Sequence, residues 1–365
     1  MYRHSKKVCY FTDTLNPNSG WGRLSSEVIN RIALHEEFRT EVLVRIPSGT
    51  KNEKAVLESG FFGIIRSVIR SRRVVRQGDI IHAFDGWPNA VVAALANIFL
   101  KKKFFITAVG TYSVLPLDRF GQGLLLRFAY RRAEKIFAIS NYTKDEILKR
   151  IFLKNIEVVN LGVDFEKFHR AYAAPESKKN ILLSVGEIKQ RKGYHVALEA
   201  FFILKKKFPD LKYIIAGGGN NSSSEYYRYL CGLIEKNRAW DSVEFRGDVT
   251  EEELLGLYGK AKIFLLPSIN AEGAFEGFGL VILEANAAGI PAVGTTPSGM
   301  DDIIVDGKNG FLVPSNNDAG LSSAIEKLLL SQDLYKKISE RALEVARKMS
   351  WKKTAQDYQK AYEQN

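Results

Sequence analysis

Residues 275–291 read FEGFGLVILEANAAGIP. They follow a strand pattern, KIFLLPS (262–268), and a polar loop, INAEGAFEG (269–277). The sequence therefore predicts a helix beginning near Phe278–Gly279, at the carboxyl end of a strand. Gly277 and Gly279 let the backbone approach a ligand, and the amides of a helix N-terminus form an anion site. Glu276 lies on one side of those amides. Glu284 lies about five residues into the helix, roughly 7 Å along its axis. A ligand with a diphosphate in the middle and hydroxyl-bearing groups at both ends matches this layout. Carboxylates accept strong, charge-assisted bonds from vicinal diols. A nucleotide-sugar has that shape. The plainer reading makes Glu276 a loop carboxylate and Glu284 a solvated helix residue. Against it, LVILEANAAG is apolar nearly all round, so a charge at Glu284 needs a partner.

The chain has 365 residues, enough for two domains with full cores, and its 45% hydrophobic content is that of a folded globular protein. The longest nearly apolar run, AVVAALANIFL (90–100), is too short to span a bilayer and contains Asn97. The start, MYRHSKKVCYFT, has basic residues but no apolar core of signal-peptide length. Cys9 and Cys231 give neither a disulfide framework nor a metal cluster, which fits a cytoplasmic location. The formal net charge of +12 points to an acidic partner. Basic residues gather in the first half, in IIRSVIRSRRVVRQG (64–78), LKKKF (100–104) and RFAYRRAEK (127–135). On a helical wheel Phe61, Phe62, Ile65, Val68 and Ile69 share one face, with Arg66, Arg70 and Arg73 beside it and Arg72 on it. Two readings stand: a helix packed on a sheet with a solvated basic face, or a helix lying on an anionic membrane surface. No nucleic-acid-reading module is present.

Strand patterns alternate with helical ones throughout. KKVCYFT, TEVLVRI, DIIHAF, KFFITAV, KIFAIS and IEVVNLG read as strands in the first half. NILLSVG, LKYIIAGGG, VEFRG, IFLLPS and IPAVGT do so in the second. Apolar runs bounded by Gly, Ser or Asn, alternating with helices, imply buried parallel strands in right-handed βαβ units. The fold class is thus α/β, with two Rossmann-like parallel-sheet domains facing a central cleft. The expected boundaries are residues 1–165 for the first domain, 166–180 for a linker and 181–350 for the second. The helix at 351–365, with Trp351, Tyr358 and Tyr362, is expected to pack back onto the first domain. Ligands of such sheets sit at the carboxyl ends of strands.

Three other stretches have the grammar strand, glycine, helix. LLSVGEIKQRKGYHVALEAF (182–201) places Arg191 and Lys192 where cations would neutralise a diphosphate leaving group. FTDTLNPNSGWGRLSSEV (11–28) carries Gly20 and Gly22. IIAGGGNNSSSE (214–225) has Ser222 in place of a third glycine, and no acidic residue follows the next strand at a dinucleotide-binding distance, so it reads as an ordinary turn. No Asp-x-Asp triplet occurs, so no metal cofactor is expected.

Over nearly its whole length the chain resembles glycosyltransferase family 4, the retaining enzymes of the two-domain GT-B fold. Glu276 and Glu284 match that family's E-x7-E pair, VGEIKQRKG its phosphate-binding turn, and VEFRG (243–247) its base-contacting strand end. LYGKAKIFLLPS, GIPAVGTTPSGMDDIIVDGKNGFLV, FAISNYTKDEI and VVNLGVD also follow its pattern. The resemblance implies that Glu284 holds the ribose diol and Glu276 the transferred sugar. It places the backbone amides of Gly277, Phe278 and Gly279 on sugar and phosphate and Arg191 and Lys192 on the diphosphate, and counts Gly186 and Leu280 among the donor-binding residues. Arg246 and Gly247 would meet the base, and Gly22 the phosphates. Two residues depart from the pattern: Glu187 stands where Arg is common, and Val109 where a His is common. His82 is a possible substitute, though a lone His at a strand end is usually structural.

The expected function is retaining transfer of a hexose, with a lean to mannose, from a GDP- or UDP-linked donor to a glycan or lipid-linked acceptor hydroxyl, without metal. Acceptor contacts are expected from Arg23, Asp85, Trp87, Thr111 and Tyr112. Peripheral contact with an anionic membrane is possible on the charge pattern, and nucleic acid is not expected. A nucleotide-sugar epimerase of the same fold, and a nucleotide-sugar-binding protein without catalysis, are the alternatives.

Overall fold

The run VCYF (8–11) is buried at every position. A strand with no face for water is stable inside a parallel sheet covered on both sides. The computed structural model describes residues 5–17, 19–50, 52–271 and 273–364, and it holds two such sheets. Each belongs to its own unit: Met1–Leu161 with Trp351–Asn365, and Gly162–Ser350.

The first unit runs β1 (Lys6–Thr12), α1 (Gly20–Ala33), β2 (Phe38–Val44), β3 (Glu53–Ala55), α2 (Phe61–Gln77), β4 (Ile80–Phe84), α3 (Val91–Ala96), β5 (Lys103–Ala108), α4 (Thr111–Val114), α5 (Gln122–Arg132), β6 (Lys135–Ala138), α6 (Asn141–Leu148) and β7 (Ile156–Val158). Its sheet has the order β3-β2-β1-β4-β5-β6-β7. The second unit runs α7 (Phe165–His169), β8 (Ile181–Val185), α8 (Tyr194–Lys205), β9 (Lys212–Ala216), α9 (Glu225–Lys236), β10 (Val243–Gly247), α10 (Glu251–Lys260), β11 (Ile263–Leu266), α11 (Leu280–Ala287), β12 (Ala292–Thr296), β13 (Gly310–Pro314), α12 (Asp318–Leu330) and α13 (Gln332–Lys348). Its sheet has the order β10-β9-β8-β11-β12-β13. Helix α14 (Trp351–Glu363) closes the chain and belongs to the first unit. All pairings within the two sheets are parallel. In both, the chain order reverses beside the first strand, β1 or β8, which places a crevice at that strand's carboxyl end.

Every strand expected from the sequence is present within a few residues. Two more, β3 and β13, were not expected. The first is three residues, Glu-Lys-Ala, with charged side chains on a sheet edge. The second, GFLVP, ends in a proline and lies at the sheet edge beside β12. Short edge strands carry little apolar signal. Residues 166–180, read as a linker, hold most of α7 and a 3-10 turn at Pro175–Ser177, and belong to the second unit.

α14 is fixed to the first unit by its tyrosines. Tyr358 and Tyr362 are fully buried, and the helix packs on α1. The Lys6 ammonium donates to the Tyr362 carbonyl at 3.1 Å, and the Thr354 hydroxyl to the Asn160 carbonyl at 2.9 Å. His82 on β4 lies inside this cluster. Its Nδ1 meets the Tyr362 hydroxyl, its Nε2 lies 2.8 Å from the Thr107 hydroxyl, and its ring stacks on Phe84. Burial lowers its pKa to about 3, so it is a neutral packing residue.

Candidate functional site

In the second unit β11 ends at Leu266, and the chain crosses the loop that carries Glu276 before α11 begins at Leu280. Gly279 caps the helix in a left-handed conformation (φ 90°), and no side chain caps the first turn. A glycine is needed here, because a β-branched or bulky residue at positive φ is strained.

Glu276 is the charged centre of this loop. Its Oε2 accepts from Lys192 at 2.6 Å, Arg191 at 2.9 Å and the Ser268 hydroxyl at 3.3 Å. All three donors share one oxygen. The other, Oε1, has no partner among the described residues. Burial alone would raise the carboxyl's pKa, but the Lys192 and Arg191 charges outweigh it and hold it at about 2. Lys192 is itself held below the usual lysine range by burial, with Glu276 opposing that effect.

Arg191 and Lys192 reach Glu276 because glycines let two loops close together. Gly193 follows them with φ 67°, and a Cβ there would lie 1.8 Å from the Pro267 carbonyl oxygen. The Ile269 amide donates to the Arg191 carbonyl at 2.8 Å, tying the turn after β8 to the loop after β11. Gly186 (φ 148°) lies under Lys192, whose Nζ would be 3.8 Å from an added Cβ. On the far side Gly299 donates its amide to the Glu276 carbonyl at 3.0 Å, and a Cβ on it would meet the Gly277 oxygen at 2.0 Å.

Glu284 is 1% exposed. The Tyr258 hydroxyl of α10 donates to its Oε2 at 2.9 Å, which supplies the partner that an apolar helix demands. Neither Tyr258 nor Ser268 was expected from the sequence. Both lie inside stretches quoted for the family pattern, but side chains meeting across separate elements leave no local spacing signal. Gly247 joins this strand-end region: its oxygen accepts from the Gly217 amide at 2.7 Å. Arg246 does not. It pairs with Glu244 at 2.7 Å and lines a separate cavity with Lys178, Asp210, Lys212 and Lys260. The register of β10 against β9 shifts between Phe245 and Gly247, so Arg246 sits at an irregularity in the strand. Glu187 pairs with Lys189 at 2.8 Å at the surface.

The first unit has its own pocket of about 290 Å³, lined among others by Asp13, Trp21, Arg45, Asp85, Trp87 and Tyr112. Three of the expected acceptor residues, Asp85, Trp87 and Tyr112, are therefore together. Arg23 donates to the Pro17 carbonyl at 3.1 Å, and Thr111 opens α4; neither lines the pocket. Asp85 accepts from the Ser113 hydroxyl at 2.5 Å and from the Gly86 amide at 2.8 Å. Burial raises its pKa to about 6 against those bonds. Trp21 meets Tyr112 edge to face at 5.2 Å between centroids. Asp13, Trp21 and Arg45 were missed because they are drawn together from the ends of β1, α1 and β2. Val109 also lines the pocket. Gly22 is accounted for by packing: its amide donates to the Ser19 cap at 3.0 Å, and a Cβ would lie 2.0 Å from the Asn16 oxygen. Among the described residues no group of three His, Cys, Asp or Glu could hold a metal ion.

Residues 34–167 match the glycosyltransferase family 4 pattern, and residues 164–345 that of glycosyl transferases group 1. The chain belongs to glycosyltransferase family 4. It is 24% identical over 328 residues to an uncharacterized glycosyltransferase of Methanocaldococcus jannaschii, covering 90% of this chain and 86% of that one. It is 33% identical over 220 residues to the D-inositol 3-phosphate glycosyltransferase of Corynebacterium urealyticum, covering 57% of this chain but only 50% of that one. Anabaena HepE, solved with UDP and glucose, superposes with a TM-score of 0.81 at 17% identity, covering 99% of this chain and 100% of that one. The two parallel sheets are thus those of the GT-B fold, and this family 4 chain is a glycosyltransferase. No helix of it, among the described residues, is long and apolar enough to cross a membrane.

Proposed function

We propose that this family 4 glycosyltransferase moves a hexose, with a lean to mannose, from a GDP- or UDP-linked donor to a hydroxyl of a glycan or lipid-linked acceptor, with retention and without metal. The observation that carries this reading is Glu276: one oxygen is taken by two cations and a hydroxyl, and the other is left for a ligand. That free oxygen binds a hydroxyl of the transferred sugar. Arg191, Lys192 and the amides at the start of α11 hold the diphosphate, and Glu284, oriented by Tyr258, holds the ribose diol.

In the reaction the bond from the anomeric carbon to the phosphate oxygen breaks, and a bond to the acceptor oxygen forms on the same face. The departing diphosphate takes the acceptor proton. Arg191 and Lys192 stabilise the charge that develops on it, which is the part of the barrier a fixed cation lowers most. A metal is not needed where two cations and helix amides meet that charge. Asp85, Trp87 and Tyr112 receive the acceptor in the first-unit pocket, the carboxyl for hydroxyls and the rings for a sugar face. The setting is the cytoplasm, at the periphery of an anionic membrane, where a lipid-linked acceptor is presented.

The test is donor turnover followed by NMR, with GDP-mannose, UDP-glucose and UDP-galactose in EDTA. The expected result is release of one nucleoside diphosphate and an α-linked product from the α-linked donor. An inverted product would remove the front-face mechanism. Binding without turnover on any acceptor would favour a catalytically silent nucleotide-sugar-binding protein, and isomerised donor an epimerase.

A further inference from the structure

Helix α2 presents two opposite faces. Gly63, Ile64, Ser67, Ser71, Val74 and Val75 are buried, and at 3.6 residues per turn they centre on one side. The opposite side carries Phe61 and Phe62, each 72% exposed, with Ile65 at 44% and Ile69 at 68%. Single exposed apolar residues are ordinary; a contiguous stripe along one helix marks an interaction surface.

The stripe is flanked by arginines. Arg66, Arg70, Arg73 and Arg76 are all exposed. Glu58 pairs with Arg66 at 2.6 Å and with Arg70 at 2.5 Å, while Arg73 and Arg76 have no ion pair among the described residues. A second, independent feature lies beside it. Arg72 donates to the Ile98 carbonyl at 3.1 Å, so α2 is joined to the loop 97–102. In that loop Phe99 adopts a left-handed backbone (φ 67°) and is 86% exposed, and Lys101, two residues on, is left-handed too (φ 52°) and exposed. A bulky residue in that conformation is uncommon, and here it gains no burial in return. Helix α3 packs between α2 and α5, and α5 adds the exposed Leu124, Arg131 and Arg132.

We infer that this helical layer of the first unit docks on an anionic lipid bilayer. α2 lies in the plane of the headgroups, with Phe61, Phe62, Ile65 and Ile69 among the acyl chains and its arginines on the phosphates. Charge complementarity selects this occupant. A second copy meeting the same face would set arginine against arginine, and a nucleic acid would leave the apolar stripe in water. The contact deepens the reading of a membrane-presented acceptor, but it needs neither donor nor catalysis.

The test is flotation of the full chain with vesicles of neutral phosphatidylcholine alone or mixed with phosphatidylglycerol, without donor or acceptor. Binding to the mixed vesicles is expected, with little to the neutral ones. High salt should weaken it, since exposed charge is screened. Phe62→Ser with Ile69→Ser should weaken it at least tenfold, and each of Arg73→Gln and Arg76→Gln about fivefold at low salt. These side chains are solvent-exposed, so thermal midpoint and donor turnover should be unchanged. Equal binding to neutral vesicles, or none to either, would overturn the inference. So would a dimer in light scattering that the same two apolar variants dissolve, or a nucleic acid that competes the arginines without the apolar variants mattering. Loss of turnover with vesicle binding intact would instead fault the proposed reaction.

Discussion

At Glu276 the ionised form is held by Lys192 and Arg191 against burial, with a folded-state pKa of about 2 against 4.5 unfolded. A depressed carboxyl contributes stability above its unfolded pKa and loses it as pH falls from about 4.5 to 2, here roughly 3 kcal/mol in all. Glu276→Gln should therefore destabilise the second unit at pH 7 by up to that amount, and cost it the donor. A thermal midpoint unchanged at pH 7 would show that the ion pairs are not made in solution. Asn286, two residues after Glu284, is the converse case. It is fully buried, and neither its Nδ2 nor its Oδ1 has a hydrogen-bond partner among the described residues. Replacing an unsatisfied buried amide by an apolar group of similar shape is neutral or stabilising, so Asn286→Leu should leave stability unchanged or raise it by about 1 kcal/mol, read from the thermal midpoint. A large loss would place a bound water or ligand there. The two glutamates and the two cations were legible in the sequence because charge beside glycine at a strand end is a local signal. That all three donors share one oxygen of Glu276 was not, since it depends on loops 85 residues apart in the chain.

Among the elements, α11 and its loop owe their position to glycines whose roles differ, though in the sequence they look alike. Gly279 is required by its own backbone, Gly299 by a neighbour: its Cβ would press on the Gly277 oxygen. Gly299→Ala should cost about 1–3 kcal/mol by overpacking and, through the loop of Glu276, weaken nucleotide binding at least tenfold. Calorimetric titration of the variant checks this, and wild-type affinity would mean that the loop relaxes freely. Periodicity placed the long buried strands and most helices, because burial on both faces leaves a continuous apolar run. It passed over β3 and β13, which sit on edges. For α2 the helical wheel found the apolar stripe but not its direction. Only the packing of Gly63, Ser67 and Ser71 shows that small residues face the core and the large apolar ones face out.

For the molecule as a whole, α14 completes the first unit by covering His82 with Tyr358 and Tyr362. Ending the chain at Ser350 should expose that cluster and leave the first unit aggregated or unfolded; a soluble, cooperative product would contradict this. The same cluster sets a pH dependence. His82 is depressed from 6.5 to about 3, so the folded state refuses a proton that the unfolded state accepts, and stability falls as pH drops through that window. Asp85, raised from 3.8 to about 6, works in the opposite sense between those values. From pH 7 to 5 the histidine removes roughly 2 kcal/mol and the aspartate returns over 1, so the wild type should show little net change. Against His82→Gln, however, its stability margin should narrow by about 2 kcal/mol over that range, read as midpoints at the two pH values. A constant margin would mean that His82 is not buried. The central claim, that a nucleoside diphosphate sugar is held between Glu276 and Glu284 without metal, is tested most directly by a thermal-shift panel of UDP, GDP, ADP and dTDP, each with magnesium and with EDTA. One nucleotide at about 100 times its dissociation constant should stabilise the fold by roughly 2.7 kcal/mol, equally in EDTA, and the shift should vanish in Glu284→Ala. No shift with any of the four would contradict the account.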